Sequence, residues 1–445
     1  MEWYWTLASL IAAILVLMAI GLPVGIAFIT VNVVAAVIYL GGSGGFFEMA
    51  ERGVGILAGN AFESMTTFAL VPIPMFLLMG ELFFHTGLAN RMFTAVEKLM
   101  GRVPARLSYV TVAGGTAFAT LSGSSMGSTA LLGTLMVPEM TKRGYKKHMS
   151  IGPILGTGGL AMLIPPSALA VLLGTLAELD IGKLLIAGIV PGLILALMYI
   201  VLIYGMAKRD PDAAPAYDIE FVPWSTRLRL LGTDVLPMIS VVFGVIILIM
   251  AGIATPSEAA AFGCLGVLIL AVLYRSLTFK STWTSMEGAA RVTIMALLII
   301  FGSATFSQIL AFSGASSGLI GWVTQFDLDP MVMLLVMFGI LLVLGMFMDQ
   351  LSMMLLTVPI FFPLAIKFGF DPIWFAVIVL LAMEISFTTP PFGLLLFVMQ
   401  GVSPPGTKFS EICLAALPFM ACAMLLVVLI VIFPGIVLWL PSLGS

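Results

Sequence analysis

Two double prolines, Pro165-Pro166 and Pro390-Pro391, interrupt long apolar runs and lie 225 positions apart. Proline has no N–H with which to continue a helix, and its ring disfavours helical geometry in the residue before it. The second proline of each pair suits the first turn of a new helix. Each run is therefore predicted to form two half-helices with an unwound joint. In a bilayer, such a joint is stable only inside protein or beside a cavity.

The same spacing relates other positions of the chain. It connects four further pairs: Pro138 with Pro363, Gly144 with Gly369, Lys183 with Lys408, and Ser124 with Asp349. One offset shared by scattered residues indicates an internal repeat. Paired broken helices in the two halves of a chain indicate a transporter's binding site near the bilayer midplane. A simple proline kink, which is common in membrane helices, is the alternative for either run taken alone.

The composition places this repeat in a membrane. Of the 445 residues, 61% are hydrophobic and only 9% are charged, which excludes an ordinary soluble globular protein. About 20 apolar residues span a bilayer, and the sequence holds many runs of this kind. We therefore predict an all-α polytopic membrane protein.

The predicted spans divide the chain into four parts. These are N-terminal scaffold helices at 1–65, a first transport repeat at 66–207, a linker with central scaffold helices at 208–289, and a second transport repeat at 290–445. Within the first part, spans at 6–22 and 24–40 precede a loop at 41–65. The second repeat is expected to begin with a span at 290–312.

Each repeat is predicted to hold a re-entrant hairpin followed by its broken helix. Two apolar segments flank a Gly/Ser-rich tip at 122–128, and the corresponding tip in the second repeat is 345–352. The broken helices follow at 149–176 and 372–400. The flanking segments are too short to cross the bilayer. Each hairpin is therefore expected to enter and leave the membrane at the same face.

Basic residues set the expected orientation. The stretch from Thr141 to His148 is strongly basic and therefore cytoplasmic by the positive-inside rule. Alternation of the spans then leaves only Arg52, Lys183 and Lys367 of the 19 Lys/Arg outside the cytoplasmic side. Both termini are predicted to face the periplasm, and the two hairpins are predicted to open to opposite sides. This describes an inverted-topology repeat, which favours alternating access over a channel.

Charged residues are scarce within the predicted membrane depth. The carboxylates expected there are Glu81, Glu258, Asp349 and Glu384, and no Lys or Arg lies at a predicted midplane. Positive potential for an anionic substrate would then come from the N-termini of half-helices, each worth roughly half a unit charge. The carbonyl oxygens freed by the prolines and the nearby hydroxyls are the hard oxygen ligands that a small cation prefers.

These oxygen atoms predict two sodium sites, one in each repeat. The first would use the hydroxyls of Ser122 and Ser124. Backbone carbonyls near Ala161, Ile164 and Pro165 would complete it. The second would use Thr388 or Thr389 with backbone carbonyls at or near Gly345, Ser386 and Phe392. The substrate is expected between the two hairpin tips, at Ser124, Ser125, Ser167, Asp349, Thr388 and Gly393.

Each assignment has a structural alternative. Small residues such as those at 122–128 are also typical of closely packed membrane helices. The hydroxyls of Thr388 and Thr389 can bond carbonyls of their own helix. Asp349 can cap the helix that follows it, and Glu384 can hold its broken helix against a hairpin.

Four segments carry a resemblance to a known family. They are Leu121–Ser125, Ile164–Ser167, Gly252–Ala261 and Thr389–Gly393. The most specific piece is the Thr-Pro-Ser-Glu-Ala-Ala sequence within the third of them. With these segments the chain resembles, over essentially its whole length, the large membrane subunit of tripartite ATP-independent periplasmic (TRAP) transporters. That family often has glycine where this chain has Ala161.

The resemblance implies a fold, a driving force and partners. The fold would be an elevator fold of the ion transporter superfamily type, in which both repeats move against a scaffold formed by 1–65 and about 208–290. The activity would be import of an organic acid, such as a carboxylate or a sialic acid, across the bacterial inner membrane, driven by about two Na⁺ ions. A periplasmic substrate-binding protein would deliver the substrate, and a small four-helix membrane subunit would complete the complex.

Two other functions are weighed against this one. A stand-alone sodium- or proton-coupled carboxylate transporter with two hairpins would need no binding protein. An intramembrane hydrolase would use Ser124 or Asp349, but the sequence offers neither a paired carboxylate nor a base placed beside a serine. The sequence therefore predicts a transporter and not an enzyme, and it does not name the substrate.

Overall fold

The computed structural model describes residues 2–42, 45–66, 70–101, 103–122, 125–215, 223–326, 328–391 and 393–443. Within these ranges the chain is built from α-helices with short 3-10 and π segments, and it holds no strand. Among the described residues, seven continuous helical stretches are long and apolar enough to cross a membrane, or up to nine if each sharply bent helix pair is one span. The prediction of an all-α polytopic membrane protein is confirmed.

Three helices begin the chain: α1 (Trp3–Ala19), α2 (Val24–Tyr39) and α3 (Phe46–Thr66). The prediction of a loop at 41–65 is wrong, because α3 fills most of that interval. The acidic balance of its charged residues suggested a loop, but a glycine in this segment has a packing role. A Cβ at Gly53 would lie 2.6 Å from the carbonyl oxygen of Ala36, so glycine lets α3 lie directly against α2.

The segment expected to be the first repeat has helices α4 (Pro72–His85), α5 (Leu88–Leu99), α6 (Arg106–Ser122), α7 (Ser125–Lys142), α8 (Lys147–Leu163), α9 (Ala168–Leu176) and α10 (Ile181–Arg209). α6 and α7 pack against each other and against α8, so they form a helical hairpin. α8 and α9 are bent by 45° at the first double proline. The first broken helix is therefore broken where the sequence predicts it.

The middle of the chain holds α11 (Trp224–Leu230), a π-helical segment (Leu231–Val235), α12 (Leu236–Met250) and α13 (Pro256–Leu273). α13 begins with a capping box, in which the side chains of Thr255 and Glu258 each accept the other residue's backbone N–H. Proline at the first helical position completes a strong helix start. Glu258, expected within the membrane depth, is therefore an exposed capping residue at the start of α13.

The last part has helices α14 (Phe279–Phe312), α15 (Ala315–Thr324), α16 (Pro330–Phe347), α17 (Gln350–Lys367), α18 (Pro372–Phe387), α19 (Leu394–Val402), α20 (Phe409–Ile432) and α21 (Gly435–Ser442). The predicted start of a span at 290 is eleven residues too late (290 − 279), because Thr278 caps a helix that already begins at Phe279. α16 and α17 form the second hairpin, and α18 and α19 lie on either side of the second double proline.

Corresponding helices of the two halves follow one spacing. α7 and α17 are 225 positions apart at both ends, and α9 and α19 are 226 apart at both ends. The packing partners correspond as well: α8 packs against α6, α7 and α20, while α18 packs against α16, α17 and α10. The repeat indicated by the prolines therefore extends to the order and packing of whole helices.

Candidate functional site

The first break, between α8 and α9, is completely buried. Ile164 leaves helical geometry with φ −86° and ψ 123°, and residues 161–168 are all buried. Because Pro165 carries no N–H, the carbonyl oxygen of Ala161, four residues earlier, has no helical donor. No backbone N–H among the described residues replaces that donor. The break therefore presents a free backbone oxygen inside the protein.

The far side of this break rests on α10. A Cβ at Gly188 would lie 2.0 Å from the carbonyl oxygen of Leu163, and one at Gly192 would lie 2.3 Å from the side chain of Ile164. On the other side of the prolines, Ser167 caps α9, since its hydroxyl oxygen accepts the N–H of Ala170 at 3.2 Å. Ser167, predicted at the substrate, is thus a buried capping residue at the start of a half-helix.

The second break, between α18 and α19, is more open. Thr388 is buried, Thr389 is half-buried and Pro391 is exposed. Both threonine hydroxyls donate to the carbonyl oxygen of Ile385, at 3.0 Å and 2.6 Å, as the structural alternative for these residues predicts. A hydroxyl oxygen that donates in this way keeps lone pairs with which to hold a cation.

The tip of the second hairpin lies on this break. A Cβ at Gly345 would lie 2.0 Å from the hydroxyl oxygen of Ser386, so these two predicted sodium ligands are brought together. Gly393 is equally confined, since its Cβ would lie 2.7 Å from the carbonyl oxygen of Phe387. The third predicted carbonyl, at Phe392, lies outside the described residues.

The first hairpin is described up to its tip. Ser122 ends α6, but its side chain and all of Ser124 lie outside the described residues. Ser125 begins α7 and is buried, and neither its hydroxyl nor that of Thr129 has a hydrogen-bond partner among the described residues. A buried hydroxyl without a partner costs about 1–3 kcal/mol. The start of α7 therefore has two oxygen atoms free for a ligand.

Thr129 is a candidate residue that the sequence prediction missed. Its hydroxyl oxygen would be 2.5 Å from a Cβ at Gly158, so it faces the middle of α8. The available signal was its position four residues after Ser125, which places both hydroxyls on one face of a helix.

The two halves contact each other at the hairpins. α7 of the first hairpin packs against α19, and α17 of the second hairpin packs against α9. At the second tip, the amide nitrogen of Gln350 lies 3.5 Å from the sulfur of Met162, just before the first break. The hairpins and broken helices therefore form one cluster, and Gln350 is a tip residue that the sequence prediction did not name as part of a site.

A buried carboxyl occupies the crossing of the two broken helices. A Cβ at Gly159 of α8 would lie 1.9 Å from the carboxyl group of Glu384 of α18, and these positions are 225 residues apart. Glu384 is 4% exposed and its Oε2 has no hydrogen-bond partner among the described residues. The carboxyl lines a cavity of about 10 Å³ with Tyr199 of α10 and Thr388, roughly the space that one water molecule needs.

Glu384 therefore joins the two broken helices to each other. The sequence prediction, which placed it against a hairpin, is wrong in this respect, because Gly159 leaves a gap in α8 that only the tip of a long side chain from α18 can fill. The pairing of Gly159 with Glu384 follows from the repeat spacing, whereas the proximity of Tyr199 has no signal in the sequence.

Asp349 caps α17. Its Oδ2 accepts the backbone N–H groups of Leu351 and Ser352 at 3.1 Å and 3.3 Å, and its Oδ1 accepts the hydroxyl of Ser352. This is the structural alternative for Asp349. A further role toward a cation or the substrate stays a prediction.

The family model of the "Tripartite ATP-independent periplasmic transporter, DctM component" matches residues 11–436. This chain belongs to the DctM family of TRAP transporter permeases. The family places the chain among transporter permeases, so the prediction that it is not an enzyme is confirmed, as is the resemblance from which the partners were expected.

Members of the DctM family resemble the chain over most of its length. A C4-dicarboxylate TRAP transporter large permease protein of Pseudomonas aeruginosa is 33% identical over 388 residues, which cover 87% of this chain and 89% of that protein. A sialic acid TRAP transporter large permease protein of Vibrio cholerae is 28% identical and covers 95% of both chains. The DctM family thus includes permeases named for different carboxylates.

A solved membrane transporter shares the fold. MtrF of Neisseria gonorrhoeae, described as representing a class of antimetabolite efflux pumps, aligns with a TM-score of 0.63 at 13% identity, over 94% of this chain and 96% of MtrF. At this identity the likeness concerns the fold alone. For the DctM family member described here, it supports the arrangement of its helices without assigning a solute.

Proposed function

We propose that the chain is the large subunit of a sodium-coupled importer of an organic acid. The observation that carries this proposal is the cluster of two hairpins and two broken helices in a member of the DctM family. Free oxygen atoms at both breaks suit Na⁺, which prefers oxygen ligands to nitrogen or sulfur. Half-helix N-termini beside them suit a carboxylate.

The two sodium sites remain those expected from the sequence, with Thr129 as an added candidate. In the first repeat, the carbonyl of Ala161 and the hydroxyls at the start of α7 are the described candidates. In the second, the carbonyl of Gly345 and the hydroxyls of Thr388 and Thr389 are the candidates. The ligand supplied by Ser124 is inferred from the sequence alone.

Uptake in proteoliposomes tests the sodium coupling. The chain would be reconstituted with its small membrane subunit and supplied with its substrate-binding protein. We expect uptake to require an inward Na⁺ gradient, and the double variant Ser124→Val with Thr389→Val to lose that dependence together with most uptake. Thr134→Val is the matched control, because that exposed hydroxyl also bonds a carbonyl of its own helix, at 2.8 Å.

If uptake by the unchanged protein did not depend on Na⁺, the coupling would be contradicted. If uptake did not depend on the binding protein, the stand-alone carboxylate transporter would be supported instead. The two failures differ, because the first appears as a missing ion dependence and the second as a missing dependence on the delivered substrate.

The partners follow from the family and from the names of the relatives. A separate small four-helix membrane subunit and a periplasmic substrate-binding protein would complete the transporter. Dicarboxylate and sialic acid permeases among the relatives support an organic acid as the solute. A thermal-shift screen of the binding protein against organic acids would identify it, and a failure of every acid to stabilise that protein would contradict this class.

Alternating access would arise from movement of the hairpins and broken helices against α1–α3 and α11–α13. The inverted relation of the two halves that the basic residues predict would fit such an elevator, because it would offer each side of the membrane one hairpin. The same predicted orientation would put both termini in the periplasm.

A further inference from the structure

A second polar cavity lies far along the chain from the breaks, beside the amphipathic helix α5. It has a volume of about 700 Å³ and lies between α5, α11 and the π-helical segment. α5 buries Leu88, Met92 and Phe93 against the rest of the protein on one face, as an amphipathic helix on the surface of a core does. Its opposite face lines the cavity with Arg91 and Lys98.

One wall of the cavity is fixed by an ion pair. The Nε of Arg91 donates to a carboxyl oxygen of Asp234, which is 6% exposed. The guanidinium of Arg91 also lies 4.1 Å from the ring centroid of Tyr274, a favourable cation–π distance. Thr233 donates to the second carboxyl oxygen of Asp234 at 2.5 Å. The charges of Arg91 and Asp234 therefore compensate each other in a defined geometry.

Two further cations in the cavity have no such compensation. Lys98 of α5 and Arg229 of α11 line the same space, and neither forms an ion pair with a carboxylate of the described residues. Thr226 and Asn90 add polar side chains to the lining. An anionic group with several oxygen atoms, such as a phosphate, matches a guanidinium and an ammonium at one site.

Exposed apolar side chains are close in sequence to the residues that line the cavity. Leu228, Leu231 and Leu236 are exposed in α11, the π-helical segment and the start of α12, where acyl chains would cover them. A phosphate site that opens onto a hydrocarbon surface suits a phospholipid better than a free anion. The π-helical turn that carries Asp234 is a feature common at functional sites.

We propose that this cavity binds the headgroup of an anionic phospholipid from the surrounding bilayer, with Lys98 and Arg229 contacting its phosphate. Basic cavities between membrane helices on the cytoplasmic side are suited to anionic lipids, and the basic residues here fall on the predicted cytoplasmic side. The lipid would connect α5 with α11 and α12. This site is independent of the sodium and substrate sites.

Thermal unfolding of the delipidated full chain in detergent tests the proposal. Phosphatidylglycerol, phosphatidylcholine and inorganic phosphate would each be added to the unchanged protein. We expect phosphatidylglycerol to raise the Tm more than either of the others. In native mass spectrometry, Lys98→Gln with Arg229→Gln should retain phosphatidylglycerol at least about tenfold less, since both charge-assisted hydrogen bonds to the phosphate would be lost.

Lys208→Gln with Arg209→Gln is the matched control, because it removes the same charge from the exposed end of α10 and should leave lipid retention unchanged. The single variant Arg229→Gln gives the same test if the double variant is not obtained folded. Equal effects of the two lipids, or undiminished retention in the cavity variant, would overturn the proposal. An equal Tm rise with inorganic phosphate would overturn it in favour of a free-anion site. Loss of the small membrane subunit from the cavity variant with unchanged lipid retention would overturn it in favour of a protein interface.

Discussion

At the scale of single residues, the missing side chain at Gly159 decides how the two broken helices cross. The carboxyl of Glu384 fills the space that any side chain at this position would need. Glycine in the interior of a helix normally weakens it relative to alanine, by up to about 1 kcal/mol. Here the close approach of α18 explains why the helix carries a glycine.

Gly159→Ala should destabilise the protein by about 1–3 kcal/mol, the usual cost of overpacking a filled core. Gly339→Ala in α16 is the matched control, because nothing lies within 4 Å of a Cβ at that position. The measurement is thermal unfolding of the purified variants. In a Glu384→Ala background the same glycine substitution should cost little, and an equal cost in both backgrounds would contradict the contact.

Asp349→Ala should lower stability by about 1 kcal/mol through the loss of the helix cap, whereas Asp349→Asn should keep it, since asparagine caps about as well as aspartate. We expect Asp349→Asn to keep uptake as well. Thermal unfolding and sodium-dependent uptake would be measured on both variants. A stable Asp349→Asn protein with impaired uptake would show that the negative charge acts beyond the cap.

At the scale of helices, α10 is the support of the first break. Its small residues face Leu163 and Ile164, so the unwound joint lies against the backbone of α10 instead of lipid. This contact meets the requirement that irregular backbone within a membrane be covered by protein. The second break lacks an equivalent cover at Thr389 and Pro391, which are half-buried and exposed.

Gly188→Ala should lower the free energy of unfolding by about 1–3 kcal/mol, the usual cost of overpacking, because its Cβ would meet a backbone oxygen that cannot rotate away. The yield of folded protein should fall as well. Gly205→Ala lies in the same helix with open space around it and should be nearly neutral. Size-exclusion profiles and Tm values of the two variants compare them directly. Similar behaviour of the pair would mean that α10 does not hold the break.

At the scale of the whole molecule, the arrangement of the two halves predicts the sides on which their loops lie. In a chain without Cys264, Cys413 and Cys422, Lys146→Cys should react with an impermeant thiol reagent from the cytoplasm. Lys367→Cys, at the end of the second hairpin, should react from the periplasm. Lys146 and Lys367 are both exposed in the fold. Labelling of the two cysteines from one side would contradict the inverted repeat.

The sequence predicts the features whose causes are local. Proline acts on its own helix, so both breaks fall where the double prolines indicate. The helix α3 was missed because its glycines act through contact with α2, which no local pattern reveals. Likewise, Tyr199 lies beside Glu384 through the packing of α10, and 185 residues of sequence separate them.

The crossing of α8 and α18 also constrains how such a chain can diverge after a gene duplication. Positions 159 and 384 correspond to each other at the spacing of the repeat, yet they compete for a single volume at the crossing. Two identical half-length chains paired in this way could not both have carried a glutamate there. A glycine at one position and a glutamate at the other require the two halves to differ here, so each residue restricts which side chains the other position can hold.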